Sequence, residues 1–232
     1  MKTEKYPEAA FLSAMTASTT HEARNVLAII KESAGLVEDL MQLYTARGSL
    51  DPEKVHRALE RIELQVKRGA DLLTTLNRLA HTLDQDRSTV ELNQEVEQLV
   101  RLSQRFVRQK DQRVEAERGP EERHLVVNAL HLHMTLHGAL MCCLEELPPG
   151  STITVGTKED GGFTVAEFQS PGGRVAPEPW AEGSGWSKLE NLSSTLGANV
   201  ERRPSGYGIR ILFPRGTGAR GAPGGPGGQD TT

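Results

Sequence analysis

Two stretches of this chain repeat apolar or small residues at alternating intervals of four and three, and that spacing allows little besides a pair of long helices. In the first stretch, from about Pro7 to Arg47, the positions are Leu12, Thr16, Thr19, Ala23, Val26, Ile30, Ser33, Val37, Leu40 and Tyr44. In the second, from Pro52 to about Asp84, they are Val55, Leu59, Ile62, Val66, Gly69, Leu73, Leu76, Ala80 and Leu83. Between them, Gly48-Ser49-Leu50-Asp51-Pro52 stops one helix and starts the next, with glycine just past the first end, Asp51 as N-cap and Pro52 at the first helical position. The pattern predicts a helical hairpin. At ~1.5 Å of rise per residue its helices extend roughly 50 to 60 Å, too long for two of them to form a stable core alone. Two hairpins paired into a four-helix bundle would bury both seams, so a homodimer is expected.

After Arg87 the periods shorten. A helix is predicted over Asn93 to Gln109, a strand at RVEAE (Arg113 to Glu117), another at LVV (Leu125 to Val127), and a strongly apolar helix from about Ala129 to Leu147, ended by Pro148-Pro149-Gly150. STITVGT and FTVAEFQ flank Asp160-Gly161-Gly162 and read as an antiparallel hairpin. Pro171 to Gly185 reads as a long surface loop. A helix from about Trp186 to Leu196, then NVERR, a turn at Pro204-Ser205-Gly206 and YGIRILFP complete the pattern. The fold class is α+β, with helices layered on one sheet behind the hairpin. Three units are expected: 7–87, 90–214, and a disordered Gly/Pro-rich tail over 215–232, which cannot bury enough apolar area to order itself.

Composition removes several classes. Hydrophobic residues make up 37% and aromatics 4%, which argues against an aromatic-rich sandwich. A net charge of −4 disfavours a nucleic-acid partner, which calls for a basic surface. The Arg-rich run from Arg101 to Arg123 holds seven basic and five acidic residues and reads as a mixed solvated surface. No run of eighteen apolar residues exists, and MKTEKYPEAAF lacks the apolar core of a secretion signal, so a cytoplasmic protein without membrane association is expected. Cys142 and Cys143 are neighbours, unsuited to a structural disulfide, and read as small core residues. His131, His133 and His137 share a helix, but no nearby carboxylate completes a metal site, so they read as partly buried or interface histidines. No Gly-x-Ser-x-Gly elbow, Walker A loop or paired zinc cysteines occur.

The first helix also carries Ser18-Thr19-Thr20-His21-Glu22-Ala23-Arg24-Asn25. Thr19 and Ala23 lie on the seam, and residue 21 is about 200° from each on a helical wheel, so His21 should project into solvent. Asn25 follows one turn later on the same face, with Glu22 beside the histidine. A carboxylate next to an imidazole can keep one ring nitrogen protonated and leave the other's lone pair free, which suits phosphoryl acceptance. A solvated helix face without a role fits the same residue types.

The run THEARNVLAIIKESAGLVEDL, on the first helix of a long antiparallel hairpin, resembles the H-box of the dimerisation and histidine-phosphotransfer domain of two-component sensor kinases. The resemblance implies a phosphoacceptor at His21, a general base or orienter at Glu22, and a water-positioning or receiver-contacting group at Asn25. The family's proline after the Asn is replaced by Val26. LEELPPGSTITV and GSGWSKLENLSSTLGANVERRPSGYGIRILFP resemble the same family's ATP-binding domain, a Bergerat-like α/β sandwich, over about residues 90 to 214. The nucleotide motifs are weakened. Cys142 and Cys143 stand where the family has its Mg²⁺-binding Asn, although that cation takes oxygen ligands. Phe168 stands where an Asp receives the adenine amino group, and the glycine box keeps only Gly183 and Gly185 before Trp186.

These readings lead to a dimeric histidine phosphotransferase of a phosphorelay, built like a kinase core. It is expected to take its phosphoryl group from response-regulator receiver domains or a hybrid kinase rather than from ATP, with no cofactor of its own and Mg²⁺ in the partner receiver. The alternatives are an autokinase with divergent nucleotide boxes and a non-catalytic dimeric adaptor.

Overall fold

The computed structural model describes residues 7–48, 50–170, 185–203 and 207–214. The predicted loop over 171–184, the turn at 204–206, Gly183 and the tail lie outside the described residues. Helix α1 spans Pro7–Arg47 and α2 spans Pro52–His81. Asp51 caps α2 through its carboxylate, which accepts from the backbone N–H of Glu53 and Lys54 at 3.2 Å. The second helix stops at His81, three residues short of the expected Asp84. Thr82, its C-cap, places its hydroxyl on the carbonyl of Leu79 at 2.7 Å and its backbone N–H on the carbonyls of Leu79 and Ala80.

Strand β1 (Ser88–Glu91), not anticipated from the sequence, pairs antiparallel with β3 (His124–Val127). Four residues carry too little periodicity to signal a strand, and this one is fixed by its distant partner. Glu91 then caps α3 (Leu92–Gln109), accepting from Asn93 N–H at 3.0 Å and Gln94 N–H at 2.8 Å. Strand β2 (Arg113–Glu117) is followed by β3, α4 (Ala129–Glu146), β4 (Thr152–Asp160), β5 (Phe163–Ser170), α5 (Gly185–Thr195), β6 (Asn199–Arg202) and β7 (Tyr207–Pro214). The main sheet has the order β2-β4-β5-β7-β6, with β2 parallel to β4 across the α4 crossover and the remaining pairs antiparallel. The β4–β5 turn uses Gly161 and Gly162, both at positive φ (56° and 86°), the backbone that tight hairpins favour and side chains resist.

Register builds the core. Val155, Phe168 and Ile209 stand opposite one another on three adjacent strands, and all three are fully buried beneath α3, α4 and α5. A second, smaller cluster of Met15, Leu79, Leu102, Leu130 and Met134 ties both hairpin helices to α3 and α4. Together these elements form an α+β fold in which long N-terminal helices precede a mixed α/β sheet domain.

The mixed solvated surface expected over Arg101 to Arg123 needs a correction at its end. Arg123 is buried: its guanidinium donates to the Glu121 carbonyl at 2.8 Å and to the Thr157 hydroxyl at 3.3 Å, while its backbone N–H meets Glu91. Its partners Glu91, at the start of α3, and Thr157, on β4, are both more than thirty residues away, a long-range closure that local charge counting does not register. Both cysteines are free and buried, and burial foremost lifts the Cys142 thiol to about 11 and the Cys143 thiol further.

Candidate functional site

The inward face of the first half of α1 consists of Met15, Ser18, Thr19, Glu22 and Val26, which recur within one turn of each other and are all buried. This stripe is centred one residue away from the predicted seam, because upper α1 packs against α3 and α4 as well as α2. His21 lies at its edge with its side chain 51% exposed, whereas Glu22 is turned inward and only 5% exposed. Glu22 is thus beside His21, as expected, but its carboxylate is buried.

A buried carboxylate needs compensating charge. Glu22 has two sources. Arg68 of α2 donates from Nη2 to Oε2 at 3.1 Å, and Arg108 in the last turn of α3 is ion-paired to the same oxygen. Gly69 assists the first contact: a Cβ there would sit 3.3 Å from Val26 Cγ1, so its absence lets α2 close on α1 one turn from Glu22. Arg108 is steadied by its own helix, since its Nε donates to the Gln104 carbonyl at 3.2 Å. Further along the same seam, the Ser18 hydroxyl donates to the Leu102 carbonyl at 3.4 Å.

The other oxygen of Glu22, Oε1, lies 3.9 Å from His21 Nδ1, and the Asn25 amide lies 3.4 Å from the same nitrogen. Both neighbours thus gather on Nδ1, and among the described residues no contact engages Nε2. The structure brings His21, Glu22 and Asn25 into one site and adds Arg68 and Arg108, which the sequence reading missed. Arg68 belongs to α2 and Arg108 to α3, and no local spacing links either of them to His21.

The three histidines of α4 are separated by their surroundings. His131 faces Glu8 at 3.3 Å, His133 faces Glu95 at 2.8 Å, and His137 is held edge-on between Phe11 and Phe106. Burial drives the His137 pKa down to about 4, so the ring is neutral near pH 7. No group of three or more potential metal ligands occurs among the described residues.

The residues that the sequence resemblance aligned with nucleotide motifs are packed as follows. Phe168 and Cys143 are fully buried, and Gly185 at the start of α5 lies so close to α4 that a Cβ there would be 3.2 Å from Cys142 Sγ. Trp186, beside it, donates from its indole N–H to Glu190 at 2.7 Å.

No protein-family model matches the chain, and no curated protein matches it. Solved structures similar to it include histidine kinases. Acinetobacter baumannii histidine kinase AdeS is 12% identical, with 84% of this chain and 98% of that one covered and a TM-score of 0.46. The cytoplasmic segment of histidine kinase QseC is 19% identical over 64% of this chain and 92% of that one, with a TM-score of 0.42. Histidine kinase ThkA, solved in complex with response regulator protein TrrA, is 16% identical over 94% of this chain and 66% of that one, with a TM-score of 0.48. No helix among the described residues is long and apolar enough to cross a membrane.

Proposed function

We propose that this chain is a histidine phosphotransferase that relays a phosphoryl group between receiver domains of response regulators through His21, without ATP. The observation that carries this reading is the orientation of the imidazole: Glu22 and Asn25 both gather on Nδ1, and the half-exposed ring leaves Nε2 toward solvent. In acceptance, the Nε2 lone pair forms the N–P bond while the P–O bond to the receiver's aspartate breaks, its electron pair leaving with the carboxylate. The ring is left as an imidazolium whose Nδ1 proton faces Glu22. Reversal onto a second receiver completes the relay, with Mg²⁺ supplied in the receiver's own acidic pocket.

Burial of Phe168 and Cys143, and the packing of Gly185 on Cys142, support a sheet domain that has exchanged nucleotide contacts for core packing. The hairpin supports a homodimer. Leu59, Val66 and Leu73 remain 47 to 62% exposed on α2, a seven-residue stripe that a second copy would cover.

The test is to mix the chain with a receiver domain labelled on its aspartate and follow label onto an acid-labile phosphohistidine. Wild type should accept and His21→Gln should not. Exposure of the site makes the fold insensitive to this change, within ~0.5 kcal/mol. Acceptance by His21→Gln rejects the assignment. Incubation with labelled ATP alone should leave the chain unlabelled, and label on His21 would establish the autokinase instead.

A further inference from the structure

The first helix of the sheet domain, α3, reaches into the His21 site through Arg108. Resting on the phosphotransfer reading, we propose that Arg108 is a positioning residue for chemistry at His21, holding Glu22 so that the imidazole keeps its proton on Nδ1 and presents a free lone pair at Nε2.

The two oxygens of Glu22 are divided between two tasks. Oε2 receives guanidinium groups from two elements, Arg68 from α2 and Arg108 from α3, and this fixes the side-chain rotamer. Oε1 is thereby held toward His21 Nδ1 at 3.9 Å. Glu22 and Asn25 make opposite demands on that nitrogen: a carboxylate accepts a proton from it, whereas an amide N–H donates to it. The carboxylate can only accept, whereas the amide can turn its oxygen to the same point, so a proton on Nδ1 suits both neighbours. Nδ1–H with unprotonated Nε2 is the form that attacks phosphorus. After transfer the ring carries a positive charge, which the same fixed carboxylate faces.

Arg108 is suited to this task by its own anchoring. Its Nε is tied to the Gln104 carbonyl, and it sits in the last turn of α3, where a cation is favoured by the helix dipole. The hairpin alone supplies only Arg68, so the site is incomplete without the sheet domain. This gives the nucleotide-free domain a direct contribution to catalysis through Glu22, independent of any docking role.

The experiment uses the full chain with ¹⁵N-labelled histidine. Imidazole ¹⁵N–¹H correlation spectra assign the His21 tautomer in wild type, Arg108→Gln, Arg108→Lys and Glu22→Gln, and each variant is timed for acceptance from a labelled receiver domain. Wild type should show Nδ1–H. Arg108→Gln should shift His21 toward a tautomer mixture and slow acceptance about 10- to 100-fold, the range for removing a group that orients a reacting one. Arg108→Lys, which keeps the charge, should recover the Nδ1–H form and most of the rate. The Arg108→Gln/Glu22→Gln pair should be no slower than Glu22→Gln alone, because both act through one carboxylate.

An Nε2–H tautomer in wild type overturns the proposal, as does Arg108→Gln with wild-type tautomer and rate, or additive losses in the double variant. If Arg108→Gln fails to fold, the wild-type tautomer and Arg108→Lys still decide it. Wild type that accepts no label from receivers overturns the phosphotransfer function instead, while the tautomer shift continues to report on Arg108 and Glu22.

Discussion

His133 and Glu95, both fully buried, face each other at 2.8 Å between α4 and α3, and Arg78 of α2 closes the other Glu95 oxygen at 2.6 Å. This trio is the polar counterpart of the Met15–Leu79–Leu102 cluster, since it joins the hairpin to the sheet domain. Burial opposes the Glu95 charge, but the hydrogen bond and charge of His133, with those of Arg78, outweigh it and hold the carboxyl below its ordinary pKa. Glu95→Ala strips Arg78 and the buried His133 ring of their shared partner. The expected cost is about 3 kcal/mol, with Arg78 recovering some hydration because it is half-exposed. Glu95→Gln, which keeps an acceptor, should cost less. Urea titration of both variants measures the difference, and equal stability of Glu95→Ala and wild type would show that the trio contributes nothing.

Acid should weaken the fold in two separate ranges. His137 has a folded pKa of about 4 against an ordinary 6.5, so the unfolded chain binds the extra proton between those values. Its contribution is fully present above pH 6.5 and is lost as pH falls toward 4, by about 3 kcal/mol in total. Glu95, with its pKa lowered, adds stability above the ordinary carboxylate pKa and loses it only as pH falls through its lower folded value. His137→Leu should therefore flatten the stability profile between pH 6.5 and 4.5 and leave the steeper fall below it. Chemical denaturation at a series of pH values reads this directly, and an unchanged slope in the variant would contradict it.

Phe168 tests the proposal that the sheet domain works without a nucleotide. It is fully buried between Val155 and Ile209 on neighbouring strands. Phe168→Asp removes a large core side chain and places a carboxylate in an apolar site, so a loss of at least about 4 kcal/mol is expected, with no gain of nucleotide affinity. Calorimetric titration with Mg-ATP on a folded Phe168→Asp protein that showed saturable binding would reverse this expectation.

Particular residues show what was legible in the sequence. Long periods and capping residues defined the hairpin, and Asp51, Pro52 and Gly48 placed its turn. Alternating residues likewise identified β4, β5 and β7. The role of each stripe was less accessible, because α2 carries two of them one residue apart. Ala58, Gln65, Leu72 and Leu79 face the rest of the chain, while Leu59, Val66 and Leu73 face out. A period of seven fits both and cannot rank them. The inward turn of Glu22 was not legible for a related reason, since one of its two arginines, Arg108, comes from α3, which no spacing within the hairpin signals.

That double stripe leads to a sharp prediction about assembly. Leu79 is fully buried inside one chain, so Leu79→Asp should unfold the protein outright. Leu59 and Leu73 are 47% and 62% exposed in the single chain, so an aspartate at either position meets water as long as the chain is alone. If two hairpins pair along this stripe, the same aspartate is buried against its own copy across the two-fold axis, where like charges repel without a counter-ion. Leu59→Asp and Leu73→Asp should therefore convert a dimer to a monomer while keeping the helical circular dichroism and a cooperative melt. Sedimentation equilibrium with thermal melts of all three variants separates the cases. A wild type that sediments as a monomer, or an unchanged dimer in both outward-facing variants, would remove this stripe as the dimer seam.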